Sequence, residues 1–208
     1  MRLARVVFIW ALLAAAIGVP IALSFTSELL EWRGPIYIAA GVAGMLALGL
    51  LLVQPVLIAG YLPGLSVYRA RRVHHWTGAA LVVAVLVHVA GLWVTSPPDM
   101  IDALTYTSPT PFSPWGVTAM WAIFAVAVLA IFRKRLRLRT FRLVHMVLAA
   151  VIVTGSVVHG LLVEGTMETM SKAALCTLVV AATIKVMIDV WRRQRKTRPM
   201  RSASDGSI

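Results

Sequence analysis

Six apolar runs, each about as long as a lipid bilayer is thick, constrain this chain more than any other feature. They cover residues 6–24, 35–57, 73–95, 115–132, 143–163 and 171–191. About 20 apolar residues cross the hydrocarbon core as a helix. Lipid offers the backbone no hydrogen-bond partner, so such runs are helices rather than open strands. Composition agrees: the 208 residues are 60% hydrophobic and only 13% charged, where a soluble domain has about 25% charged residues. The expected fold is an all-α membrane protein, a six-transmembrane-helix bundle. Residues 1–191 form one domain, and residues 192–208 a basic, disordered tail.

The formal charge of +12 does not point to nucleic acid, because its distribution follows membrane topology. Seventeen Lys and Arg residues fall on one side of the alternating spans: near the N-terminus, in 69–72, in 133–142 and in 192–201. The other side holds Arg33 and Lys172, with Glu28, Glu31, Asp99, Asp102, Glu164 and Glu168. The positive-inside rule makes the basic side cytoplasmic. Both termini are then cytoplasmic, in a multi-pass protein of the cell (inner) membrane. Arg2 and Arg5 before an apolar run also suit a signal peptide, but no clean small-residue cleavage site follows, so the first span is expected to be retained. The loop 96–114, with five prolines, reads as a turn-rich outer cap and not as a helix. Lys185 and Asp189 are four apart and are expected to pair. Cys176, the one cysteine, reads as a packing residue. No internal repeat is apparent. Gly41 and Gly44 read as helix-packing positions.

All five histidines lie in the third and fifth spans: His74, His75 and His88, then His145 and His159. Ionisable residues inside a membrane are rare and mark function. His74 and His88 are fourteen residues apart, and so are His145 and His159. Fourteen helical steps return to within about 40° of the start and advance about 21 Å. Each helix therefore shows two histidines on one face. Both spans run in the same direction, so His74 meets His145 near the cytoplasmic side and His88 meets His159 near the outer side. Two opposed pairs, one above the other, suit two flat macrocycles with axial imidazoles, in the way bundles build cofactor sites between facing helices. The expected cofactors are two haems b between the third and fifth spans. A closed zinc site needs more ligands than two histidines. His75 is about 140° away from the His88 face and reads as an interfacial neighbour near a haem propionate.

The segment Arg71-Arg72-Val73-His74-His75-Trp76-Thr77-Gly78, followed by His88, resembles the first ligand helix of the ferric reductase-like transmembrane domain. Phe141-Arg142-Leu143-Val144-His145, followed by His159, resembles its second. That family includes the membrane part of ferric reductases and NADPH oxidases, and the haem subunit of the methionine sulfoxide reductase system. The resemblance implies haem ligation by His74, His88, His145 and His159, and electron flow from the cytoplasm outward. His75, Arg72 and Arg142 are the candidates for haem-propionate or partner contacts.

Full ferric reductases and NADPH oxidases continue into a flavin and nicotinamide module, and no dinucleotide-binding pattern is found here. The expectation is an oxidoreductase component fed by a separate cytoplasmic flavoprotein reductase, with its flavin supplied by that partner, or by a quinol. Arg133, Arg135, Arg137 and Arg139 are the candidate dock. The outer acceptor is a further partner, membrane lipid is the solvent, and nucleic acid is not expected. A quinol-linked b-type cytochrome is the alternative. A redox-inactive scaffold or transporter is disfavoured by midplanes that are apolar apart from the histidines.

Overall fold

The computed structural model describes residues 2–196, with side chains described for 3–192. Among the described residues seven α-helices follow in order: α1 Arg2–Ser24, α2 Pro35–Ala59, α3 Val67–Thr95, α4 Pro97–Leu104, α5 Ser113–Ile131, α6 Leu138–Leu162 and α7 Thr169–Lys196. Short 3₁₀ turns occupy Glu28–Leu30 and Phe132–Arg135, and no strand occurs among the described residues. Six helices, all but α4, are long and apolar enough to cross a membrane. The third and fifth spans are α3 and α6.

The helices outrun their apolar windows at the basic end. α3 starts at Val67, where the Ser66 hydroxyl accepts from the Arg69 amide at 3.4 Å. α6 starts at Leu138, and α7 continues to Lys196, into what reads as tail from the sequence. A hydropathy window measures hydrocarbon depth, whereas a helix can continue beyond it while arginine side chains reach water. The rest of the expected tail, 197–208, lies outside the described residues.

The proline-rich loop corrects one expectation, because it contains α4. Pro97 and Pro98 occupy the first two helical positions, where a proline's missing N–H would have no intrahelical partner anyway. Asp99 suits the positive end of the helix dipole, and Met100 and Ala103 are buried. These prolines start a helix instead of preventing one.

Packing divides the bundle into two antiparallel hairpins. α2 lies along α3, and α5 lies along α6. α7 packs against both α2 and α6, α1 rests on α7 and α2, and α4 touches α3 and α5. Small residues let the hairpins close tightly. A Cβ at Gly91 would lie 2.7 Å from that of Ala40, and one at Gly155 would lie 2.8 Å from the Trp115 carbonyl, as expected where packing and not water drives helix association. The shared core includes Leu48, Leu51, Met120, Ile152, Leu175 and Val179. Phe8, Val83, Leu143 and Ile184 are among the many large apolar residues on the outer faces, which face lipid in a multi-pass membrane protein.

Several expectations are met directly. Cys176 is buried in the core. Lys185 pairs with Asp189 at 3.1 Å, and Tyr61 donates to the same carboxylate at 2.8 Å. Lys172, expected at the outer end of the last span, is buried there and donates to the Val163 carbonyl at 2.8 Å. A lysine at that place complements the negative end of α6.

Candidate haem site

α3 and α6 face each other through their histidines. The His74 and His145 ring centroids are 6.3 Å apart, and those of His88 and His159 are 6.5 Å apart. The two levels are thus spaced almost alike, and the fourteen-residue steps bring both histidines of each helix to the shared face. His75 lies exposed and joins neither pair, because its helical phase turns it off the shared face. Arg72, Arg142, Arg133, Arg135, Arg137 and Arg139 are all exposed at the basic end.

The level farther from the basic end is anchored to the backbone. His88 Nδ1 donates to the Ala40 carbonyl at 2.8 Å, and His159 Nδ1 donates to the Phe112 carbonyl at 2.9 Å. Donation from Nδ1 fixes the tautomer and leaves the Nε2 lone pair free, the arrangement found when a histidine serves as a metal ligand. Glycine makes each anchor accessible. A Cβ at Gly44 would lie 2.9 Å from His88 Nδ1, and one at Gly116 would lie 2.6 Å from His159 Nδ1.

The level near the basic end is held differently. The Nδ1 atoms of His74 and His145 are buried and have no hydrogen-bond partner. His74 faces the backbone of Gln54 without a bond of normal geometry. Phe141 stacks on His145 with centroids 5.7 Å apart and an interplanar angle of 21°. The Arg133 guanidinium stands 6.0 Å from the Phe141 centroid. On α2, Gln54 Nε2 donates to Thr77 Oγ1 at 2.9 Å, which ties the two helices together at this depth.

A metal held between two such rings fits the spacing. Two imidazole–metal bonds of about 2.0–2.1 Å each, with a ring radius beyond each nitrogen, place the centroids about 6 Å apart. Among the described residues no group of three or more His, Cys, Asp or Glu could hold a metal. Each level thus offers two nitrogen donors, which suits a metal that arrives with its other ligands already in place, as haem iron does.

Residues 43–156 match the family of the ferric reductase like transmembrane component. This chain belongs to that family. Transmembrane electron transfer is therefore its general activity, and haem the cofactor that such domains generally bind. They typically work with a cytoplasmic reductase. No curated protein and no solved structure matches the chain. The matched segment includes His74, His88 and His145 and ends three residues before His159, so pairing in space brings the fourth histidine into the set.

Gly44 and Gly116 escape a reading of the sequence alone. Each stands four residues after a carbonyl that receives a histidine, and only the folded hairpins connect the two. The signal that could have found them is a nearly equal offset. Ala40 and Gly44 precede Phe112 and Gly116 by 72 residues, and the histidine pairs are offset by 71. The structure therefore contains a repetition that is not apparent in the sequence: two hairpins built on one pattern.

Proposed function

We propose that this chain is the membrane subunit of a ferric reductase-like system, carrying electrons through two b-type haems from a cytoplasmic donor to an acceptor on the outer side. His74 and His145 hold the inner haem, and His88 and His159 the outer one. The observation that carries this reading is the pair of opposed imidazole couples at 6.3 and 6.5 Å. Bound haem supplies a one-electron iron couple between each pair of rings. The chain's residues fix where that couple sits and keep it dry. Apolar side chains of α2, α3, α5 and α6 enclose the bundle interior, and four imidazoles serve as ligands without adding formal charge.

The basic end is the cytoplasmic face by the positive-inside rule, which places both termini in the cytoplasm and the chain in the cell membrane. Residues 1–191 act as one haem domain and 192–208 as its tail. Arg133, Arg135, Arg137 and Arg139 receive an acidic flavoprotein, since complementary charge speeds encounter. Arg72 and Arg142, two and three residues from inner ligands, hold carboxylates of the cofactor or partner.

The test is vectorial. The purified chain is placed in sealed vesicles with an impermeant one-electron oxidant inside, and an impermeant reductant is added outside. The reading predicts haem-dependent reduction of the trapped oxidant, absent in His88→Ala vesicles. Equal rates in haem-free vesicles would refute it.

A further inference from the structure

We infer that Gly44 and Gly116 are positioning residues that make the two histidine levels chemically unequal, by opening the Ala40 and Phe112 carbonyls to the outer histidines alone. This inference rests on the haem reading above and concerns how that site is tuned.

Helix geometry explains why glycine is needed. The amide of residue i+4 bonds the carbonyl of residue i, and Gly116 does so to Phe112 at 3.2 Å. Each Cα–Cβ bond leans toward the helix N-terminus, so the Cβ at i+4 leans back over that carbonyl. At Gly44 and Gly116 this space is taken by the His88 and His159 rings, 2.9 and 2.6 Å from where a Cβ would stand. Both carbonyls then accept a second bond, from Nδ1.

The inner level has the same scaffold without the opening. In the antiparallel hairpins Ala40 stands opposite His88, and Phe112 opposite His159. Counted fourteen residues along each pair of antiparallel helices, the register pairs Gln54 with His74 and Val126 with His145. The positions four residues later hold Ile58 and Ala130, which carry a Cβ. Both inner Nδ1 atoms lack a hydrogen bond, although His74 faces the Gln54 backbone. One pattern thus occurs twice with its glycine and an Nδ1 bond of normal geometry, and twice with neither, His74 only facing the Gln54 backbone.

A histidine that donates its second ring N–H to a carbonyl is a more basic ligand, and such bonds are one of the protein's levers on haem potential. A more basic ligand favours ferric iron. The anchors therefore lower the outer haem's potential relative to the same site without them.

Redox titration of wild type, Gly44→Ala and Gly116→Ala tests this, with infrared difference spectra of ring-labelled histidine recorded alongside. Each variant should shift the outer haem's reduction equilibrium toward the reduced state by up to about tenfold, which is 59 mV for one electron. The inner haem should stay as it is. Variants that keep both haems with an unchanged outer potential would overturn the inference. Should a variant lose the outer haem, the ligand variants decide. His74→Ala, keeping the outer haem, should show strongly hydrogen-bonded Nδ1–H, and His88→Ala, keeping the inner haem, should not. The same signature in both would overturn the inference. A wild-type chain without haem would instead overturn the proposed function.

Discussion

His159 donates from Nδ1 to the carbonyl of Phe112, 47 residues earlier on the antiparallel neighbour, at 2.9 Å. His88 does the same to Ala40, 48 residues earlier, at 2.8 Å. Each histidine is therefore fixed by its own hairpin before it faces the other. The rings are preset to oppose each other across α3 and α6, which reduces what a cofactor must rearrange on binding.

The paired geometry predicts how ligand variants group. His88→Ala and His159→Ala should each lose the same outer haem and largely keep the inner one. His74→Ala and His145→Ala should lose the inner haem. His75→Ala should keep both. Haem-to-protein ratios with redox titration check this. Loss of the inner haem in His75→Ala, with retention in His74→Ala, would mean that the face shared by His74 and His88 is not the ligand face.

Much of this arrangement is legible in the sequence because two periodicities carry it. Apolar runs report the hydrocarbon, and fourteen-residue steps report a helix face. What stayed hidden depends on contacts between helices. Gly44 reads as a packing glycine until His88 is seen against it. The hairpin repetition is hidden because its spacing recurs while most residues around it differ. α4 is hidden because Pro97 and Pro98 read as breakers in sequence, although the first turn of a helix tolerates them. Lys172 reads as a membrane-edge charge, and only the fold shows it buried against the end of α6.

The basic rim predicts a selective kinetic defect. Arg135→Glu combined with Arg139→Glu should slow haem reduction by a cytoplasmic flavoprotein at least several-fold and leave reduction by dithionite unchanged. Both side chains are exposed, so their effect should fall as salt screens them over about 8–10 Å. Stopped-flow absorbance at several ionic strengths measures this. Equal slowing with dithionite would place these arginines in folding instead of docking.

Glu168 predicts part of the acid response. Its carboxylate accepts from the backbone amides of Ser171 and Met170 at the start of α7, at 2.6 and 2.7 Å. Those bonds hold its pKa below the usual 4.5. Because the folded value is the lower one, the contribution is present above the unfolded value and is lost as pH falls through the folded value. Glu168→Gln should be less stable than wild type near neutral pH, and the gap should narrow below about pH 4.5. Thermal unfolding in detergent across pH checks this; a gap that is constant with pH would show that the charge plays no part.

The most direct measurement is the haem content and electron paramagnetic resonance spectrum of the full chain, produced with ample haem. Two b-type haems per chain are predicted, both low-spin with bis-imidazole signals, and each lost when its own histidine pair is removed. A folded chain that binds no haem, or whose haem survives substitution of all four histidines, would contradict the account.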